Sequence, residues 1–176
     1  MRYKMLAGIS SSLILVACAT KLPTPPSPQS DPTINLKTTP LSKKLPIPVA
    51  DIKAHHLSDT WGASRSNGRR HEGIDIIAPR GSKVLSTTEG VIADLRNNNL
   101  GGKVIWVLGP DSSWHYYAHL DAQRSDLKVG DFVRRGEHIG FVGNTGNAQH
   151  TAPHLHYGIY LEGKGRGAIN PFLYLR

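Results

Sequence analysis

Beyond about residue 70, apolar residues come in short runs separated by glycine, proline, asparagine and aspartate. The runs are Gly73–Ala78, Lys83–Ser86, Gly90–Leu95, Lys103–Leu108, Trp114–Leu120, Asp131–Val133, His138–Val142 and Leu155–Leu161. Each is about strand length, and many are rich in β-branched or aromatic residues, which pack well on a pleated surface. No amphipathic helical period lies between them, so the helical crossovers that parallel strands need are missing. The pattern predicts an all-β, mostly antiparallel domain. Asn97–Gly102, Gly109-Pro110-Asp111, Lys128–Asp131 and Arg135-Gly136-Glu137 read as its turns.

Side chains two apart on a strand share a face. In the last run this puts His154 and His156 on one face and Leu155, Tyr157, Ile159 and Leu161 on the other. The same alternation puts His115, Tyr117 and His119 together on an earlier strand. A histidine face backed by an apolar face suits a site built on a sheet.

The first third of the chain has a different composition. Met1–Lys4 is short and basic, and Met5–Ala17 is mostly apolar, too short to span a bilayer at about 20 residues. It reads as a signal peptide over 1–17. Leu15-Val16-Ala17-Cys18 resembles a bacterial lipobox, with Cys18, the only cysteine, as the lipidated residue. By resemblance to Gram-negative lipoproteins, Ala19 after that cysteine implies the outer membrane, periplasmic face. Residues 18–54 hold eight of the twelve prolines and no glycine, and they read as a disordered linker. Residues 55–176 hold seventeen of the eighteen glycines and read as the folded domain.

The net charge of +8 is uneven, with +5 on residues 1–54 (seven basic, two acidic) and +3 on residues 55–176 (fourteen basic, eleven acidic). A folded module so weakly cationic does not suit a nucleic-acid partner. A nearby anionic polymer and simple solubility both account for the charge.

The candidate chemistry lies in three short stretches: His71-Glu72-Gly73-Ile74-Asp75, Tyr117-Ala118-His119-Leu120 and His154-Leu155-His156. His71 and Asp75 are spaced for one helical face. Gly73 between them and the β-branched Ile74, Ile76 and Ile77 favour a strand instead, with His71 on the loop before it. Imidazole and carboxylate are the donors of a hydrolytic zinc centre, which takes three protein ligands and leaves one position open.

HxxxD, YxHL and HxH in this order, with Gly143–Asn147 and Pro153 leading into the last, resemble the lysostaphin-like (M23, LytM-type) zinc metallopeptidases. The resemblance spans roughly residues 55–176 and implies a compact antiparallel sheet crossed by a groove. It implies Zn²⁺ held by His71, Asp75 and His156. It further implies that His119 and His154 stay off the metal, orient or deprotonate the attacking water and stabilise the oxyanion. Tyr117 is either a hydrogen-bond donor near the site or a packing residue. His115 is expected to be a solvated neighbour and Glu72 a loop charge, and the loop that holds Arg65 and Asn67 is one from which an Arg or Asn could contact substrate. The implied activity is hydrolysis of peptide cross-links in peptidoglycan. The alternative within the family is a non-catalytic activator of a cell-wall amidase, and under either reading an envelope or division protein is a candidate partner.

Overall fold

The computed structural model describes residues 36–175. The leader, Cys18 and the proline-rich stretch up to residue 35 lie outside the described residues.

Among the described residues nine strands form one sheet: β1 (Ile74–Ile77), β2 (Lys83–Leu85), β3 (Gly90–Asn98), β4 (Gly102–Leu108), β5 (Trp114–Gln123), β6 (Phe132–Val133), β7 (His138–Val142), β8 (His154–Tyr160) and β9 (Ala168–Ile169). All pairings between named strands are antiparallel, in the order β1-β8-β5-β4-β3-β6. β7 bridges β2 and β5, and β9 extends β8. The predicted all-β antiparallel architecture is therefore observed. β9 was not anticipated, because two residues carry no periodicity. β3 and β5 run past their predicted ends because cross-strand hydrogen bonds hold Asn97 and Asn98 against Lys103 and Gly102, and Ala122 and Gln123 against Phe141 and Gly140.

One face of β1, β5 and β8 builds the core. Ile74, Ile76, Tyr117, Leu155, Tyr157 and Ile159 are buried together with Ile92, Ile105 and Val107 from β3 and β4. The alternation predicted for β8 holds for three of its four apolar positions. Leu161 lies past the strand's end and is exposed.

The linker expectation needs correction at its C-terminal end. Leu45 pairs with Leu175, Val49 pairs with Val84, and both side chains are buried in the core. Leu36 is also buried. Proline cannot donate to a ladder, but Pro46 and Pro48 flank single bridges and so break no regular strand. The apolar residues between those prolines find partners only once the sheet exists.

Beneath β5 and β8 lies a buried polar layer. Thr87 Oγ1 is 2.9 Å from the Tyr117 hydroxyl and 2.8 Å from the Tyr157 hydroxyl. His115 Nδ1 is 2.8 Å from Tyr157 Oη, and its Nε2 is 3.0 Å from Ser113 Oγ. His115 is thus fully buried rather than solvated, because a regular strand carries it to the Tyr117 face. Burial alone pulls its pKa down to about 3.

Two predictions follow from this packing. Leu45→Ala should cost about 2–5 kcal/mol of stability by denaturant unfolding, whereas a linker residue would cost nothing measurable. His115 binds a proton near pH 6.5 only in the unfolded chain, so the stability its neutrality protects is complete above that pH and lost as pH falls toward 3. At pH 5 the loss is about 2 kcal/mol from this residue. His115→Gln should flatten the slope of stability against pH between 6.5 and 4, and an unchanged slope would refute the assignment.

Candidate active site

The opposite face of β1 and β8 is polar. Asp75 and His156 are paired residues of these neighbouring strands, and His154 lies two positions back, beside Ile77. His71 reaches in from the loop before β1, and two backbone hydrogen bonds pin that loop: His71 N to Ala63 O and Gly62 N to His71 O, both 2.9 Å.

Three donor atoms converge there. His71 Nε2 lies 2.8 Å from His156 Nδ1, and Asp75 Oδ1 lies 3.1 Å from each of them. Ligand atoms on a tetrahedral zinc with bonds of 2.0–2.1 Å stand roughly 3.3 Å apart, so the cluster matches within about half an ångström. The surroundings fit a metal as well. His71 Nδ1 donates to the Thr60 carbonyl at 2.7 Å, which leaves the lone pair on Nε2. Arg65 Nη2 takes the other carboxylate oxygen, Oδ2, at 2.5 Å, and Thr60 Oγ1 accepts the Asp75 amide at 3.0 Å. Desolvation raises the Asp75 pKa, but hydrogen bonds and charge from His156 and His71 outweigh it and hold the carboxyl well below its usual range. Burial lowers His156, which keeps its imidazole neutral. Neutral imidazoles and an ionised carboxylate are the forms that bind zinc.

His119 and His154 stand beside this cluster without joining it. Their ring centroids are 5.0 Å apart, and that of His119 is 6.0 Å from His156. His154 Nε2 is 3.9 Å from Asp75 Oδ1, beyond hydrogen-bond range. Each ring is anchored through Nδ1, His119 to the Thr145 carbonyl and His154 to the Ala152 carbonyl, both at 2.9 Å. Both Nε2 atoms keep their lone pairs. Burial, the leading influence, pulls the His119 pKa down to about 4.

His119 reaches the site through a break in alternation. Ala118 and His119 together face the single residue Val104 across β4, and His119 has φ 62°. This is a β-bulge, with one extra residue that turns the following side chain to the other face. It overturns the expected grouping of His115, Tyr117 and His119. Tyr117 is fully buried on the core side, with its hydroxyl on Thr87, and cannot touch a substrate in the groove. Tyr116 lines the groove instead, packed edge-on against His156 at 5.8 Å. Burial pushes its phenol up to about 12, so it stays a proton donor. Nothing in a single strand's pattern signals such a bulge. The nearest hint is the turn opposite, where the Gly101 carbonyl accepts the His119 amide.

The cluster lies on the floor of a groove of about 550 Å³. Arg65, Arg69, Arg70 and Glu72 line it from the loop before β1, and Leu100, Asn147 and Thr151 from the loops opposite. Glu72, read as a loop charge, is exposed at this rim, and Asn67, which is also exposed, does not line the groove.

Gly73 lets the loop and β8 approach closely. A Cβ there would stand 2.6 Å from the Tyr157 carbonyl and 2.7 Å from His156 Cε1. Gly73→Ala should therefore displace the His156 ring and weaken zinc binding about tenfold or more in chelator competition, with near-native circular dichroism. Unaltered affinity would show that the ring position is not set by this contact.

The comparisons with known proteins agree with this geometry. The profile of "Peptidase family M23" matches residues 69–171. The L-Ala--D-Glu endopeptidase of Bacillus subtilis is 36% identical over 139 residues, covering 74% of this chain and 42% of the relative. The peptidoglycan DD-endopeptidase ShyA of Vibrio cholerae is 34% identical over 99 residues, covering 56% of this chain and 22% of the relative. This chain thus spans less than half the length of either. The catalytic domain of lysostaphin from Staphylococcus simulans superposes with a TM-score of 0.61 at 30% identity, over 68% of this chain and 94% of that one. With the profile covering more than half of its residues and the two-histidine, one-carboxylate cluster inside the matched span, the chain belongs to peptidase family M23.

Proposed function

We propose that this protein is a zinc-dependent endopeptidase that hydrolyses peptide cross-links of peptidoglycan. The observation that carries the reading is the convergence of His71 Nε2, Asp75 Oδ1 and His156 Nδ1 on the groove floor with two further histidines beside them. Relatives named as cell-wall endopeptidases support the choice of substrate. When bound, zinc supplies Lewis-acid polarisation of the scissile carbonyl and a water of lowered pKa.

The chain's own residues do the rest. Arg65 on Oδ2 and Thr60 on the backbone amide orient Asp75, so that Oδ1 faces the two imidazoles. His119 is neutral at physiological pH, with Nε2 free to accept a proton from the attacking water. The imidazolium so formed returns that proton to the leaving amine. His154, held by the Ala152 carbonyl, offers its Nε2 lone pair to a hydrogen of the water and so orients it. Tyr116 adds a hydroxyl donor at the groove wall. Placement in the envelope, with lipidated Cys18 anchored at the periplasmic face of the outer membrane, rests on the Met1–Cys18 sequence pattern alone.

The test is release of fragments from cross-linked peptidoglycan, identified by mass, together with metal content. His156→Ala should lose both zinc and cleavage. His119→Ala should keep zinc and lose about 10²–10⁴-fold in turnover. The reverse pattern of metal content would sink this division of roles. Stoichiometric zinc with no fragment from any wall preparation would instead favour the amidase-activator reading.

A further inference from the structure

Arg69 and Arg70 line the groove from the loop before β1, and both are exposed. Neither forms an ion pair among the described residues. Arg69 points its guanidinium at Ser66, with Nε 3.3 Å from the carbonyl and Nη2 3.2 Å from Oγ. Arg70 Nη1 donates to the Gly62 carbonyl at 3.2 Å. A guanidinium has five N–H donors in a planar fork, so most of their capacity faces the groove or solvent. The third arginine, Arg65, is committed to Asp75.

The loop that carries them is built rather than slack. Ser64 and Arg70 form a bridge, Arg65 N donates to Arg69 O at 2.9 Å, and the loop closes on His71 itself. The backbone of both arginines is thus tied to the loop that carries His71. The groove's other exposed positions differ in character. Ile77 is 64% exposed and Leu100 is 51% exposed, and both line it. Against two unpaired guanidiniums the rim offers one unpaired carboxylate, Glu72, just beyond Arg70 in the chain.

We propose that Arg69 and Arg70 form a carboxylate subsite that selects stem-peptide substrates bearing a free carboxylate next to the cut bond. The proposal rests on the endopeptidase reading above. A guanidinium fork pairs with a carboxylate through two parallel charge-assisted hydrogen bonds, and a carboxamide cannot replace that pairing. Stem peptides carry free carboxylates along their length, whereas glycine bridges carry none. The apolar side chains Ile77 and Leu100 suit the small alkyl groups of alanine residues in such a peptide. The pair therefore favours stem-peptide cross-links over glycine bridges.

The test uses two cross-linked stem-peptide dimers that are identical except that one carries free carboxylates and the other carboxamides. With the full-length, zinc-loaded chain, KM for the amidated dimer should be about tenfold higher, with kcat little changed, and the difference should shrink as salt is raised. The Arg69→Gln/Arg70→Gln variant should cut both dimers with the higher KM. Calorimetric binding of both dimers to zinc-loaded His119→Ala reads the same preference without turnover. Equal KM and equal binding for the two dimers would overturn the subsite, as would undiminished preference in the double variant. Preferential binding of the free-carboxylate dimer with no cleavage of either would overturn the endopeptidase reading and leave the subsite standing.

Discussion

Asp75 sits directly across from His156 in the antiparallel ladder between β1 and β8, and the rest of the site depends on that register. A strand's two faces alternate, so a slip of either strand by one residue would send its own member of the pair, Asp75 or His156, into the core. The register is held from the other side of the same strands. Ile74 and Ile76 on β1, and Leu155, Tyr157 and Ile159 on β8, are buried and leave no second way to fill the core. Apolar packing on one face thus places Asp75 and His156 on the other with the precision of a peptide ladder. His71 then has to arrive only from a short loop, and the Thr60 carbonyl and the Ala63 and Gly62 backbone fix where it stops.

The two remaining histidines are placed by different means. His154 shares the face of His156 through ordinary alternation. His119 requires the bulge, and the bulge coincides with a change of partner. Up to Ala118, β5 pairs with β8, and from Leu120 onward it pairs with β7. A residue at that junction escapes the ladder on one side and is free to turn toward the groove. The junction is braced locally. Gly102, at φ 65°, lies against Thr145, whose side chain receives the Lys103 amide and donates to the Leu120 carbonyl, while its own carbonyl holds His119. The β3–β4 turn, the loop before β8 and the His119 imidazole are therefore one mechanical unit.

A buried polar layer of Thr87, His115, Tyr117 and Tyr157 lies under the same strands. Its members satisfy one another's hydrogen bonds, which is the condition for burying them at modest cost. Tyr157 follows His156 in the chain, so the layer also braces the strand that carries His156. The cost is acid sensitivity, since His115 has no room for a proton.

Much of this was legible from the residues alone. Alternation with glycine- and proline-rich turns determined the all-β antiparallel class, because period-2 patterning survives any arrangement of the strands. The three motifs named His71, Asp75, His119, His154 and His156, which line one groove, and β8 placed His154 and His156 on one face by geometry internal to a single strand. Other features arise only from contacts between segments distant in the chain. Leu45 and Val49 look like linker among prolines until Leu175 and Val84 stand beside them. Tyr117 and His119 look like neighbours on one face until the mismatch of β4 and β5 forces a bulge between them. Arg65 looks like one of several loop cations until the folded loop lays it on Asp75. A sequence encodes what repeats along one strand. Which strands meet, and where their ladders fall out of step, is decided by the packing of the whole sheet.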